Sequence, residues 1–283
     1  MKLVRVGEPG LERAAVLGAQ GEILRLPDSF GDVDANFWRQ NRLEEVRHLL
    51  DANQLGDQVR EPVRYGSPIA KPEKVICIGL NYRDHAKETG SPVPDEPIIF
   101  MKAPNCVIGP NDEILVPRKS TKTDWEVELG VVIGQRARYL ESPDDARAVI
   151  AGYCLSHDVS EREFQLERGG QWDKGKCCET FNPLGPWLVT ADEIDDPQNL
   201  GLRLSVNGVR RQDGTTSDMI FGVDHIVWYL SQFMVLEPGD LINTGTPAGV
   251  SMGHDDVPFL RAGDVTELSI DGLGCQRNVL GQA

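Results

Sequence analysis

Long apolar runs are missing from this chain of 283 residues. No stretch reaches the roughly 18–20 consecutive apolar residues of a membrane-spanning helix. Near the N-terminus, Lys2 and Arg5 are not followed by an apolar segment, so a secretory leader is not expected. Positive charge is scarce: 29 Lys and Arg face 44 Asp and Glu, a net charge of −15. Nucleic acid and anionic membrane both require a basic face, so neither is expected as a partner. Cysteine occurs six times but never as C-x-x-C, and the adjacent pair Cys177-Cys178 has neither zinc-knuckle nor ready disulfide spacing. The six are read as reduced thiols of a cytoplasmic protein. No G-x-x-x-x-G-K-[ST], G-x-G-x-x-G, G-x-S-x-G or H-E-x-x-H occurs, which argues against phosphate-loop, dinucleotide, serine-hydrolase and zincin chemistry.

What is present is an ordinary globular composition, 40% apolar and 26% charged. The first 70 residues read as a small α+β domain. Strand-like pieces at 3–6, 14–17 and 22–26 precede an amphipathic helix at 42–52 and a polar, Pro-bearing linker at 56–72. Residues 71–283 read as the main domain, rich in short strands: 75–80, 98–101, 125–133 and 202–206, the last running into the Asn207-Gly208 turn. Ser160-Glu161-Arg162-Glu163 reads as a capping box that opens a short helix. Apolar residues at helical spacing over 219–234 read as a long amphipathic helix. The balance predicts a mixed α/β, β-dominated fold.

The sharpest chemical feature is Glu126-Val127-Glu128 within an alternating strand. Period two places both carboxylates on one face. Among apolar neighbours they repel and lose hydration unless a cation sits between them. Asp158 follows the apolar run Tyr153-Cys154-Leu155, and three carboxylates form an oxygen-only donor set suited to Mg²⁺, Mn²⁺ or Ca²⁺ rather than zinc. Spacing alone leaves open a solvated strand face. His85 and Glu88 fall one helical turn apart, where a carboxylate would orient an imidazole as general base; a surface helix of mixed charge fits that pattern too. Arg162 and Gln165 lie one turn apart after Asp158, and Lys176 and Lys102 add positive charge that could hold a carboxylate or enolate. Taken singly, each could equally be a surface charge. The Gly-rich turn at 243–249 could present backbone N–H groups to an anion. His157 could support Asp158, and His48, His225 and His254 have weaker claims.

Together these pieces resemble the fumarylacetoacetate hydrolase family from about residue 74 to 273. The motifs are G-L-N-Y-R-D-H-A-K-E at 79–88, F-M-K at 100–102, D-W-E-V-E-L-G at 124–130, H-D-V-S-E-R-E-F-Q at 157–165, Q-W-D-K-G-K at 171–176, M-I-F at 219–221 and N-T-G-T-P-A-G-V at 243–250. The resemblance implies a β-roll catalytic domain, with residues 1–70 similar to the small variable domain of longer members, and a homodimer. It implies that Glu126, Glu128 and Asp158 hold Mg²⁺ or Mn²⁺ (Ca²⁺ being a further option). It assigns His85 and Glu88 to water activation, with Lys176 as a third catalytic group, and Arg83, Arg162, Gln165 and Thr246 to substrate binding. The implied substrate is a small 2-oxo acid, and the implied reaction is hydrolysis of a 2,4-dioxo acid to pyruvate and a carboxylic acid. Overall similarity points towards members acting on 2,4-diketo-3-deoxy sugar acids, which yield lactate. Oxaloacetate decarboxylation, enol–keto tautomerisation and ureidoglycolate cleavage are the alternatives within the family. One departure is Cys177-Cys178-Glu179, where relatives often show Gly-Phe-Asp.

Overall fold

The computed structural model describes residues 1–56, 58–59 and 63–283. Among them, ten strands form one sheet in the order Gln58–Val59, Ile23–Arg25, Arg13–Leu17, Lys2–Val6, Leu188–Thr190, Ile150–His157, Val127–Ile133, Leu241–Asn243, Val75–Gly79 and Ile98–Lys102. Five more form a second sheet in the order Val209–Thr215, Gly201–Val206, Val265–Ile270, Gly274–Gln282 and Ile114–Val116. Helices are few, and the longest is Val223–Phe233. The fold is the expected mixed, β-dominated one.

The strand Val127–Ile133 is buried along its whole length because both of its faces are covered. Val127, Leu129, Val131 and Ile133 enter the main core with Leu202, Leu204, Leu268 and Ile226. The opposite face begins with Glu126 and Glu128 and ends at Val132, which packs with Leu3, Phe37, Trp38 and Leu241. Residues 1–70 thus extend the main sheet and cover one end of this face, leaving the carboxylates at the other end. Their attachment includes the antiparallel pairing of Lys2 and Leu3 with Val189 and Leu188.

Three local expectations are corrected. The linker read at 56–72 falls partly on residues 57 and 60–62, outside the described residues. Its remainder is packed, since Arg64 pairs with Glu12 and Asp112, and Ser67 and Ile69 are buried. Ser160 opens no capping box: Ser160 and Glu161 pair as a strand with Asp124 and Thr123, and a π-helical turn follows at Glu163–Glu167. The helix read at 219–234 starts only at Val223. Before it, Asn81 accepts from the Phe221 N–H and donates to the Phe221 carbonyl, committing both backbone groups of Phe221 outside the helix.

Three buried polar side chains form a closed ring across three strand ends. Ser156 Oγ donates to Asn243 Oδ1 at 2.8 Å, Asn243 Nδ2 donates to Asn182 Oδ1 at 2.9 Å, and Asn182 Nδ2 donates to Ser156 Oγ at 2.9 Å. Each bond orients the next, and all three side chains are sealed from water. The Asn182→Ala variant leaves two ring members short of a partner. It is expected to lower stability by about 1–3 kcal/mol, read as a lower urea midpoint at unchanged slope.

Candidate active site

Glu126 and Glu128 are 5% and 1% exposed, which excludes a solvated strand face. The pleat brings them to one side, and the end of the neighbouring Ile150–His157 strand adds Asp158, whose N–H donates to the Glu126 carbonyl at 3.0 Å. One oxygen of each of the three carboxylates lies within 4.8 Å of the others. Cations crowd them. Lys176 Nζ donates to Glu126 Oε2 and Asp158 Oδ2, each at 2.7 Å. Lys102 Nζ meets Asp158 Oδ1 at 2.5 Å. Arg162 bridges Glu126 Oε1 at 2.7 Å and Asp124 Oδ2 at 2.9 Å. Burial alone would raise the Glu126 carboxyl, but Lys176 and Arg162 outweigh it and hold it well below the usual range. Burial works against the Lys102 charge and Asp158 overcomes it, so this ammonium keeps its proton more tightly than an ordinary lysine.

Glu128 differs. It is in no ion pair among the described residues, and its Oε2 accepts from the Gly245 N–H at 2.8 Å. Burial, with Asp158 and Glu126 beside it, pushes its carboxyl well above the ordinary value. Gly245 reaches it with φ +97°, and a Cβ there would stand 2.8 Å from the Asn81 Cβ. A side chain at 245 would lift the loop off the carboxylate.

Across the cavity, the Arg83–Glu88 helix presents His85, whose Nδ1 lies 3.2 Å from Glu88 Oε2. Burial would raise the Glu88 carboxyl, but bonds from His85, the Gly249 N–H and His254 bring it below the usual value. It therefore accepts from His85 Nδ1–H and leaves Nε2 as the ring's proton acceptor. A cavity of about 350 Å³ joins the dyad to the carboxylates. Its lining includes His85, Glu88, Glu126, Glu128, Arg162, Gln165, Lys176 and Thr246.

Nine of the ten residues expected at the site thus converge, Asp158 through its contacts with Lys176 and the two glutamates. Arg83 lies elsewhere. It is exposed and absent from the cavity lining, and its guanidinium donates to the carbonyls of Asp218 at 3.2 Å and Met219 at 2.9 Å. Thr246 lines the cavity, but its hydroxyl donates to the Val127 carbonyl at 2.9 Å. His157 is sealed in the interior, where burial pushes it down to about 3, so its imidazole is neutral. Asp124 was missed as a site residue. It seats Arg162 and also accepts from the N–H groups of Ser251 and Met252. Lys102 stood among several scattered cations, and its contact with Asp158, 56 residues away in sequence, sets it apart from them.

The family model described as fumarylacetoacetate (FAA) hydrolase C-terminal matches residues 74–280. The chain belongs to the fumarylacetoacetate hydrolase family. A curated Burkholderia multivorans protein, provisionally named a hydrolase, is 50% identical over 98% of this chain and 97% of its own length. The crystal structure of a 2-hydroxyhepta-2,4-diene-1,7-dioate isomerase from Mycobacterium marinum is 31% identical, with a TM-score of 0.77 over 100% of this chain and 98% of that one. A maleylpyruvate hydrolase from Sphingobium sp. SYK-6, solved with manganese(II) and pyruvate, is 28% identical, with a TM-score of 0.82 over the whole of both chains.

The residues at this site fit a divalent cation. The donors are all carboxylate oxygens, the choice of hard cations, and Glu128 has no positive partner of its own. Burial and the two neighbouring carboxylates favour the protonated form of Glu128, and a cation bound there would favour the ionised one, so metal binding is expected to release a proton. Calorimetric titration with Mn²⁺ in two buffers of different ionisation enthalpy should show about one proton released per ion. Glu128→Gln should abolish that release and weaken binding at least about tenfold, with its melting temperature maintained.

Proposed function

We propose that the protein hydrolyses the C3–C4 bond of a 2,4-dioxo acid, releasing pyruvate and a carboxylic acid. The observation that carries this reading is the hydrogen-bonded His85–Glu88 dyad facing the carboxylate cluster across one small cavity. A base alone would serve many reactions. A base opposite a site for a hard cation suits water addition to a carbonyl whose leaving group is an enolate.

A bound Mg²⁺ or Mn²⁺ would polarise the carboxylate and 2-oxo oxygens of the substrate and stabilise the enolate. The chain supplies the rest. His85, oriented by Glu88, takes a proton from water as its oxygen bonds to C4. The C3–C4 bond then breaks, and its electron pair moves into the pyruvate enolate. The proton on His85 is the one available to return to C3. Lys176 and Arg162 stabilise the negative charge that grows on the pyruvoyl end, in a cavity floor shielded from water. Thr89 and Ser91 also line the cavity. Their hydroxyls support a hydroxylated tail, as in a 2,4-diketo-3-deoxy sugar acid that would yield lactate. The working unit is taken to be a cytoplasmic homodimer, a reading supported by the family resemblance and by six unpaired cysteines. No helix among the described residues is long and apolar enough to cross a membrane.

The isomerase among the similar structures favours a second reading, in which the site tautomerises or decarboxylates a 2-oxo acid without attacking water. The two separate on one variant. Chelator-stripped protein restored with Mg²⁺ or Mn²⁺ is expected to release pyruvate from acetylpyruvate together with stoichiometric acetate. His85→Ala should lower that kcat about a hundredfold or more. Turnover of oxaloacetate alone, surviving in His85→Ala, would instead establish the decarboxylase.

A further inference from the structure

Glu88 has one carboxylate oxygen more than its bond to His85 needs, and that oxygen is not left to solvent. His254 Nε2 lies 2.8 Å from Glu88 Oε1, and the Gly249 N–H donates to the same oxygen at 2.8 Å. We propose that His254 is a positioning residue for the dyad, holding Glu88 so that His85 keeps its Nδ1–H on the carboxylate and its Nε2 towards the cavity. The proposal rests on the functional reading above and extends it to a residue outside the family motifs quoted in the sequence.

Two further features of the backbone serve this contact. A Cβ on Gly253 would stand 2.5 Å from Glu88 Cγ and 2.7 Å from its Cδ. The turn Ser251–Gly253 can lie against Glu88 only because that residue is glycine. The turn is also anchored from below: the N–H groups of Ser251 and Met252 donate to Asp124 at 2.8 and 3.0 Å, and Asp124 accepts from Arg162, which also bridges Glu126. Hydrogen bonds and ion pairs therefore run from the carboxylate cluster through Arg162, Asp124 and the turn to His254, and from there to Glu88 and His85. A carboxylate held through one oxygen can rotate about its own axis. Donors on both oxygens remove that freedom; His254 and the Gly249 N–H share Oε1, so loss of His254 leaves one backbone bond to restrain it, and imidazole orientation follows the carboxylate. The His254 side chain is 44% exposed, so replacing it removes little packing.

The test compares wild type, His254→Ala, His254→Gln and Gly253→Ala. With metal-restored protein and acetylpyruvate, His254→Ala is expected to lose about tenfold in kcat at a KM within about twofold of wild type. Gly253→Ala is expected to behave alike, since it displaces Glu88 directly. His254→Gln, which carries an N–H donor of similar reach, should recover most of the loss. A second readout is independent of turnover. The ¹⁵N spectrum of the His85 ring should show one Nδ1–H tautomer in wild type and His254→Gln, and averaged tautomers in His254→Ala. Unchanged His85 signals with kcat within twofold in His254→Ala would overturn the proposal. Failure of wild type to turn over acetylpyruvate would overturn the functional reading instead, and the His85 spectrum would then decide the role of His254 alone.

Discussion

Four carboxylates, Asp124, Glu126, Glu128 and Asp158, are gathered in a space from which water is almost wholly excluded. Like charges about 4 Å apart repel by about 4 kcal/mol at an effective dielectric near 20, and each also forfeits its hydration. The fold must therefore deliver positive charge to the same place. It does so from three separate elements: Lys102 from a strand edge, Arg162 from the start of the π-helical turn and Lys176 from a short helix. Three cations meet four carboxyl groups, and the one without a cation of its own is Glu128, the residue with a single backbone donor. The deficit and the donor geometry lie in one place. An apolar filling would be easier to bury, so the retention of this cluster is a statement about function rather than stability.

Holding such a cluster requires strand ends that do not drift. The Ser156–Asn182–Asn243 ring lies two residues from Asp158 on one strand and two from Gly245 on another. It couples the position of Asp158 to the position of the loop that caps Glu128. The residues preceding 71 work at the opposite end of the same sheet face, where they shield Val132 and Leu241. Their coverage leaves one end of the face open, and the cavity occupies that end.

Much of this was legible in the chain because it is local. Period two at Glu126 and Glu128 predicted a shared face, one helical turn predicted the His85–Glu88 contact, and Asn207-Gly208 predicted its hairpin, which forms with both residues at positive φ. What was not legible depends on partners distant in sequence. Whether Glu126 and Glu128 meet solvent or a closed interior is decided by Asp158, Arg162, Lys176 and the loop at Gly245, all distant in sequence. Ser160 matches the capping-box pattern, yet a strand partner 36 residues earlier claims its backbone. Arg83 sits in the same motif as His85, but the helix turns it outwards onto the segment before Val223. His254 reaches Glu88 across 166 residues of sequence, through a turn whose path is set by Asp124 and by the absence of a side chain at 253. No pattern of spacing encodes such a contact.

The two ends of the cavity are chemically unlike, and that asymmetry bears on specificity under the proposed reaction. The floor combines ammonium and guanidinium groups with carboxylates that call for a further cation. With a cation held there, a small anion with adjacent oxygens would meet that cation and the ammonium and guanidinium groups together, which reconciles anion binding with a chain of net charge −15. The far end carries a base and, beyond it, Thr89, Ser91, Met252 and Gly253, which are polar, apolar or lack a side chain and carry no charge. Recognition is therefore concentrated at the pyruvoyl end, and the bond to be broken is placed by that end alone. Tails of different chemistry can then be accepted without moving the reacting carbons. Fidelity for one tail must come from the weaker contacts of residues 89–91 and 252–253, on segments that flank the dyad rather than on the strands that hold the charge.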